Sequence, residues 1–393
     1  MALHLLRWAV LITALGPLVY YALATWCAWD FFRRVRRSLP PASIHTPPAS
    51  VLKPVRGVDR EAYENFASFC RLDYPEYEII FAVSDADDPV IPLIEKLQRD
   101  FPSRQIRLLT GIPQLGPNRK VNNLCRLAQE ARYDLLVIND SDVRVEPNYL
   151  REVAAPFADP QLGAATSFFR GVVEGGVAAQ LEALALSTET VPNALVARKM
   201  EGKVQFAFGW TMATTKRHLA AIGGFEAMVQ HHADDFEFGH RIAALGLRIE
   251  LLRTPVWMVF PRVTMQEFLQ HELRWAIGLR NVRPLGYAGL LLTHGLPWAV
   301  LAAALAPTPS IAVAYLAAYL LLRLLQVWTV GVWGLDDPVT RKSLWLVPLR
   351  DALNFAVWIA GFFASKICWR GVEYRVKQGL LIPVSPAKSA PRS

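Results

Sequence analysis

The sequence contains few cysteines and lacks the common nucleotide-binding signatures. Four cysteines are scattered over 393 residues, and none forms a Cys-x-x-Cys pair or lies at a metal-ligand spacing from a histidine. This pattern indicates neither a zinc site nor a disulfide framework. The motifs Gly-x-x-x-x-Gly-Lys-Ser/Thr and Gly-x-Gly-x-x-Gly are both absent, which argues against a P-loop protein and a dinucleotide-binding protein.

Charged residues are also scarce, at 19% of the chain, whereas hydrophobic residues make up 53%. This composition is more apolar than that of a typical soluble domain, and the excess lies near the two ends of the chain. The formal net charge is +8, and basic residues cluster beside the apolar blocks, which favours an anionic membrane surface as partner. The polar middle has no basic stripe interleaved with aromatic residues, so we expect no nucleic-acid binding.

The N-terminal segment predicts a membrane anchor. Its apolar run from Trp8 to Trp29 is long enough for one membrane-spanning helix. The basic cluster at Arg33–Arg37 follows at once and indicates that this end lies in the cytoplasm. In a cleaved signal peptide the basic residues would precede the apolar run. We therefore expect an anchor over residues 1–32 and a basic, proline-rich linker over residues 33–49.

Residues 50–262 alternate short apolar runs with helical patterns, which predicts an α/β domain. Predicted strands begin at Ser50, Tyr77, Ile106 and Leu135, and helical patterns separate them. This rhythm is typical of a mostly parallel, doubly wound sheet with right-handed crossovers. A further strand is predicted over 206–215, where a Gly-Trp-Thr segment would let an acceptor approach the backbone closely.

Two carboxylates, Asp140 and Asp142, follow the buried strand that begins at Leu135. In an open α/β sheet, ligands bind outside the carboxyl ends of the strands, and side chains two residues apart in an extended segment point to one side. This pair could share one Mg²⁺ or Mn²⁺, with a substrate diphosphate completing the coordination. A polar turn or a helix N-cap is the alternative. Asp85 ends another strand and is expected to face the same crevice.

Two further segments carry candidate site residues. Lys120 lies in a loop that leads into a helix, where a cation and exposed N–H groups suit an anion such as diphosphate; a basic solvated turn is the alternative. Asp235 lies in an acidic cluster at the start of a later helix. That cluster either caps the helix and favours its dipole or supplies a catalytic carboxylate. The histidines nearby do not have the spacing of a zinc site.

The C-terminal part predicts membrane association. Residues 263–283 have the pattern of an amphipathic helix at a membrane interface, and residues 284–370 contain three apolar blocks that suit transmembrane or re-entrant helices. Three full crossings would put the basic segment 370–377 outside, against the positive-inside rule. We expect one block not to cross fully, namely the one that carries Arg350 and Asp351, which either pair or mark an interface. Residues 371–393 are expected to form a tail, disordered after Pro383.

Seven short motifs occur along the chain in one order. They are Leu52–Asp59, Leu72–Pro75, Ser84–Pro89, Asn118–Leu124, Asp140–Val145, Ala233–Asp235 and Arg274-Trp275. As a set they resemble the family-2-type glycosyltransferases with the GT-A fold. Within that group the chain is similar to the ceramide glucosyltransferases and to the related hopanoid-associated glycosyltransferases.

This resemblance implies roles for particular residues. Asp85 is expected to contact the uracil nucleotide, and Asp140 with Asp142 to hold the diphosphate through Mg²⁺ or Mn²⁺. Asp235 is expected to be the general base. The last motif of the family is usually Gln or Arg, two residues, then Arg-Trp. Here the set expected to bind the nucleotide sugar, together with Lys120, is Gln270, His271, Arg274 and Trp275; His271 holds the first position, so either it or Gln270 would meet the phosphates.

The resemblance also implies an activity. We expect an inverting transfer of a sugar from a UDP-sugar to a lipid hydroxyl, with UDP-glucose and ceramide as substrates. UDP-N-acetylglucosamine with a hopanoid polyol is one alternative, a processive polysaccharide synthase is a second, and an inactive membrane scaffold is a third. The expected location is a bacterial inner membrane, with several crossings and the catalytic domain in the cytoplasm.

Overall fold

The computed structural model describes residues 2–37, 45–369 and 372–384. Residues 38–44 of the predicted linker, and the predicted disordered tail from 385 onward, lie outside the described residues. In chain order the strands are β1 (Ala49–Val55), β2 (Tyr77–Val83), β3 (Gln105–Thr110), β4 (Leu135–Ile138), β5 (Val143–Arg144), β6 (Leu162–Thr166), β7 (Phe169–Val173), β8 (Met212–Thr215), β9 (Arg248–Leu251), β10 (Val256–Phe260), β11 (Lys366–Trp369), β12 (Val372–Lys377) and β13 (Leu380–Pro383).

The bounds of the α-helices are also given in chain order. They are α1 (Ala2–Thr13), α2 (Leu15–Arg37), α3 (Ala62–Cys70), α4 (Ile91–Asp100), α5 (Arg119–Glu130), α6 (Tyr149–Ala154), α7 (Val177–Ala185), α8 (Val191–Glu201), α9 (Lys216–Ala221), α10 (Asp234–Ala244), α11 (Met265–Val282), α12 (Pro284–Gly289), α13 (Gly295–Ala304), α14 (Pro309–Val327), α15 (Pro338–Ser343) and α16 (Val347–Phe363). A π-helical segment, Leu186–Thr190, joins α7 to α8.

A seven-stranded sheet with the order β3-β2-β1-β4-β8-β6-β9 forms the centre of the protein. Strands β3, β2, β1 and β4 are parallel, and β8 runs antiparallel to β4 and β6. Strands β1, β2 and β4 are buried along their whole length, as expected for apolar strands of a sheet that is covered on both faces. The predicted doubly wound, mostly parallel α/β fold is confirmed.

The predicted strand over 206–215 is shorter than expected. Only Met212–Thr215 pairs with β4 and β6, and the preceding residues form a tight turn in which the Thr211 N–H donates to the carbonyl oxygen of Phe208 over 3.0 Å. This turn ends beside the carboxylates described below. Its residues therefore bring backbone N–H groups to the edge of the sheet instead of extending the ladder.

The apolar blocks form long helices. Three segments are long and apolar enough to cross a membrane, namely His4–Arg37, Pro309–Gly334 and Pro338–Phe363. The block before them in the C-terminal part is a pair of shorter helical segments, Pro284–Thr293 and Gly295–Ala304, bent by 49°. The first C-terminal block is therefore interrupted, whereas the block that contains Arg350 and Asp351, which we expected not to cross fully, is long and apolar enough to span a membrane.

Arg323, Arg350 and Asp351, in the C-terminal helices, form buried ion pairs. The Arg323 Nε donates to Asp351 Oδ2 over 3.0 Å, and Arg350 pairs with Glu189 at 2.7 Å and Glu272 at 2.6 Å. Arg350 is only 1% exposed. Since charged groups at membrane depth are costly unless they are paired, these contacts explain how the two predicted residues are accommodated. They also tie α16 to α11.

Residues 366–369, 372–377 and 380–383 form strands, although a tail was predicted over residues 371–393. Strands β11, β12 and β13 form an antiparallel sheet whose buried residues pack on Ile277 of α11. The sequence of β12 alternates apolar and charged residues, as a strand with one buried face requires. Its hairpin turn, Gln378-Gly379, has φ values of +51° and +78°, which suits the turn that joins two antiparallel strands.

Candidate active site

The Asp140-Ser141-Asp142 segment lies at the carboxyl end of β4 and contains a buried carboxylate with one oxygen that lacks a hydrogen bond. The Oδ1 atom of Asp142 is buried and has no hydrogen-bond partner among the described residues. Burial and the neighbouring carboxylates of Asp140 and Asp59 raise the pKa of Asp142 to about 7. A divalent cation would remove both penalties, because it supplies positive charge and a ligand position to an oxygen that lacks them.

Lys53 lies directly beneath this segment, and the sequence analysis did not assign it a role. Its ammonium group is fully buried, donates to the backbone carbonyl of Asp140 over 2.6 Å, and lies 4.2 Å from the centre of the Phe69 ring. Burial lowers the pKa of Lys53 to about 7, while the charges of Asp142, Asp140 and Asp59 oppose that shift. The hydroxyl of Ser141 donates to Asp59. Lys53 and Asp59 both belong to the motif Leu52–Asp59, and this membership was the feature of the sequence that could have identified them.

Lys120 joins the acidic groups of two distant segments. It lies in the first turn of α5, with its Nζ 2.8 Å from Asp140 Oδ1 and 3.3 Å from Asp234 Oδ2. Burial opposes the charged form, but the carboxylates of Asp140, Asp234 and Asp235 raise the pKa of Lys120 above its ordinary value. Lys120 is therefore a fixed cation at the edge of the sheet, as an anion site requires.

Asp235 lies at the start of α10 and is held by two backbone N–H groups. Gly209 donates to its Oδ2 over 3.0 Å and Phe236 donates to its Oδ1 over 2.7 Å. Burial, followed by the charge of Asp234, raises the pKa of Asp235 to about 6. A carboxylate with this pKa is ionised at neutral pH yet remains a useful proton acceptor.

Gly209 lies beside the side chains of Asp140, Lys120 and Asp235. A Cβ atom there would lie 2.9 Å from Asp140 Oδ2, 2.9 Å from Lys120 Nζ and 3.6 Å from Asp235 Oδ2. Only glycine leaves room for these side chains at that approach.

Asp85 reaches the same edge of the sheet from β2. Its Oδ2 lies 3.3 Å from Arg119 and 3.9 Å from Arg56, and its side chain is about half exposed. Arg119 immediately precedes Lys120 in the first turn of α5. This turn therefore connects Asp85 on one side with Asp140 and Asp235 on the other.

Asn118 is a positioning residue that the sequence analysis did not single out. Its side-chain oxygen accepts from the Val121 N–H and so caps α5, and its Nδ2 donates to the carbonyl of His231 over 2.8 Å and lies 3.4 Å from Asp234 Oδ1. One amide thus fixes α5, which carries Lys120, against the loop that carries the acidic cluster. The motif Asn118–Leu124 contained this residue.

The C-terminal hairpin also holds this loop. The His232 N–H donates to the carbonyl of Gly379 over 2.8 Å, and the Leu381 N–H donates to the carbonyl of Gln230 over 2.8 Å. The Tyr374 hydroxyl donates to the carbonyl of Pro117 over 3.3 Å. The hairpin therefore braces the two segments that lead into α5 and α10.

The four predicted residues of α11 have different surroundings. Arg274 lies beside His232, since burial and then the Arg274 charge lower the pKa of His232 to about 4. Gln270 is exposed. His271 contacts Glu182 of α7 and accepts a hydrogen bond from the indole N–H of Trp275. The structure thus brings Arg274 to the loop before Asp235, while His271 contacts Glu182 and Trp275.

The sheet order and the placement of the acidic residues define the class of the protein as a glycosyltransferase with the GT-A fold. Among solved structures, a mannosyltransferase from Pyrobaculum calidifontis, in complex with GDP-Man and Mn²⁺, is similar over 90% of this chain and 99% of its own, with a TM-score of 0.50 and 17% identity. The family model described as "Glycosyl transferase family 21" matches residues 7–382, and the chain belongs to that family.

Two curated relatives are similar in sequence. Ceramide glucosyltransferase 1 of Caenorhabditis elegans is 25% identical over 230 residues, which is 58% of this chain and 49% of that protein. Ceramide glucosyltransferase of Komagataella phaffii is 32% identical over 141 residues, which is 34% of this chain and 28% of that protein. The matched region thus spans half or less of the length of these relatives.

Proposed function

We propose that the protein is a membrane-bound inverting glycosyltransferase that moves glucose from UDP-glucose to the hydroxyl group of ceramide. The single observation that carries this proposal is the position of Asp85, Asp140 and Asp235 at one edge of the sheet. Arg119 contacts Asp85, and the next residue, Lys120, contacts Asp140 and Asp234, the neighbour of Asp235. The similarity to ceramide glucosyltransferases supports the choice of donor and acceptor.

Asp235 is the proposed general base. A lipid hydroxyl is too weakly acidic to attack unaided, so its proton must move to a carboxylate as the oxygen approaches the anomeric carbon. The Gly209 and Phe236 N–H groups hold the two oxygens of Asp235 in place. Attack from the face opposite the leaving UDP inverts the anomeric centre, so an α-linked donor gives a β-linked glycolipid.

The leaving diphosphate is neutralised by the cations around the acidic pair. Lys120 contacts the Asp140 carboxylate, and Arg274 approaches from α11 beside the His232 loop. Asp140 and Asp142 would hold Mg²⁺ or Mn²⁺, which supplies positive charge to the diphosphate oxygens. The unpaired oxygen of Asp142 fits this role. Asp85, beside two arginines, is the proposed partner of the uracil ring.

The membrane segments place the acceptor. The ceramide tail stays in lipid, while α11 lies at the interface and brings Arg274 and its neighbours to the level of the reactive hydroxyl. The basic end of α2, with Arg34, Arg36 and Arg37 in its last turn, supports a cytoplasmic catalytic domain in a bacterial inner membrane. A domain on that side would meet cytoplasmic nucleotide sugars directly.

The decisive experiment uses the purified full chain in lipid nanodiscs with Mn²⁺. UDP-glucose with ceramide should give glucosylceramide by mass spectrometry together with an equal amount of UDP, and Asp235→Asn should give neither. Parallel reactions contain UDP-N-acetylglucosamine with a hopanoid polyol, and each donor without lipid. Product only with the hopanoid would replace the proposed substrates, polymer without lipid would indicate a polysaccharide synthase, and no transfer from any donor would contradict the proposed activity.

A further inference from the structure

His271 lies at the position where the glycosyltransferase motif usually has Gln or Arg, and both of its ring nitrogens are occupied. Its Nδ1 contacts the carboxylate of Glu182 on α7. Its Nε2 accepts the indole N–H of Trp275 over 3.1 Å, one turn further along α11. The two partners come from different helices, so the imidazole bridges α7 and α11.

The chemistry of the three groups fixes the proton on the ring. An indole N–H can only donate, so the Nε2 that faces it must be the unprotonated nitrogen. The remaining proton of the neutral imidazole is then on Nδ1, where it is donated to Glu182. With both ring nitrogens occupied, no N–H of His271 remains for a phosphate oxygen.

The bridge rests on an apolar contact between the same two helices. Leu181 and Leu184 of α7 pack with Phe268 of α11 in one buried cluster. Such a contact brings the helices together but does not by itself choose the rotamer of an exposed indole. The Trp275 side chain is 56% exposed, so its hydrogen bond to His271 is what selects one orientation.

We propose that Glu182 and His271 are a positioning pair that orients the Trp275 indole for the lipid acceptor, and that His271 is not a ligand of the diphosphate. This inference rests on the proposed function. Leu279, one turn beyond Trp275, is also exposed, so this part of α11 presents an apolar and aromatic surface. An indole at a membrane interface combines an apolar ring with a polar edge, which suits the boundary between a lipid tail and its headgroup. Diphosphate binding then falls to Lys120 and Arg274.

The test compares steady-state kinetics of the full chain in nanodiscs, with UDP-glucose and ceramide varied separately. His271→Ala, Glu182→Leu and Trp275→Phe should each lower kcat/KM for ceramide by about three- to tenfold, the loss expected from one hydrogen bond. The KM for UDP-glucose and the inhibition constant of UDP should change by less than about twofold, because the diphosphate contacts are intact. His271→Gln should recover most of the activity, since an amide can accept from the indole and donate to Glu182.

Further variants cover the case in which His271→Ala does not fold and provide a control. Trp275→Phe retains the apolar bulk, so it carries the test if His271→Ala fails to fold, and the double variant of the two should be no worse than the poorer single variant. Gln266→Ala, an exposed change on the same helix, serves as the control and should match wild type. A rise in the KM for UDP-glucose in His271→Ala, additive losses in the double variant, or unchanged ceramide kinetics would each overturn the inference. Absence of transfer by the wild-type chain would instead refute the proposed function.

Discussion

Lys120 Nζ and Asp140 Oδ1 lie 2.8 Å apart, although Lys120 lies in the first turn of α5 and Asp140 follows β4. The same ammonium group lies 3.3 Å from Asp234. This contact links the Asp140-Asp142 pair to the segment that carries Asp235, the proposed base. The relationship explains how acidic residues from two separate motifs share one crevice. Each of the following predictions depends on part of that arrangement.

Asp235→Asn should abolish turnover without loss of donor binding. The amide cannot accept the acceptor's proton, so kcat should fall by about 10²–10⁴-fold, the usual contribution of a positioned base. Equilibrium binding of UDP, measured by calorimetry, should stay close to the wild-type value. Turnover that survives this substitution would show that another group takes the proton.

The activity should depend on pH with an acid limb near 6. Asp235 has a pKa raised to about 6, and it can accept a proton only when it is ionised. The kcat/KM for the acceptor should therefore rise as the pH increases through about 6 and level off above about 7. UDP binding over the same range is the control. An acid limb near pH 4 would contradict the assigned environment of this carboxylate.

Gly209→Ala should disrupt the site while leaving the fold intact. The added Cβ would lie 2.9 Å from both Asp140 Oδ2 and Lys120 Nζ, so one of these groups must move. We expect a loss of at least about 100-fold in kcat/KM, as displacement of about 1 Å can cause. Gly289→Ala, where nothing lies within 4 Å, is the matched control and should be active.

Tyr374→Ala should weaken both stability and activity. Its ring is 5% exposed and packs in the cluster with Ile277, so removal should lower the free energy of unfolding by about 3 kcal/mol or more. Because the hairpin braces the loop before Asp235, turnover should fall as well. Arg375→Ala, an exposed change in the same strand, should alter neither quantity. Full activity without Tyr374 would show that the hairpin does not brace the site.

Arg350→Met should destabilise the contact between α11 and α16. It leaves Glu189 and Glu272 without their shared cation, and breaking a buried ion pair typically costs about 3–5 kcal/mol. Thermal unfolding in detergent measures this loss, and adding Glu272→Gln should recover part of it. Arg341→Met, which removes an exposed pair with Asp336, should change stability by no more than about 1 kcal/mol.

The sequence was sufficient to predict five of the seven strands of the central sheet, namely β1, β2, β3, β4 and β8, but not β6 and β9. The short apolar run before Asp140 is typical of a buried strand, and parallel strands bring their carboxyl ends to one edge. The C-terminal hairpin was not predicted, because the membrane segments were assigned up to residue 370. The alternation of apolar and charged residues in Val372–Lys377, which is typical of a strand, is nevertheless visible in the sequence. The partner of His271 could not be predicted, because Glu182 lies 89 residues away and the contact forms only when α7 packs on α11.

The central claim is that Asp85, Asp140 and Asp235 act on one bound nucleotide sugar. The most direct test is a structure of the full chain with UDP and Mn²⁺, with anomalous scattering to locate the metal. We expect one Mn²⁺ at Asp140 and Asp142, the diphosphate against Lys120, and the uracil ring beside Asp85. Nucleotide bound away from this edge of the sheet, or Mn²⁺ held by other residues, would contradict the account.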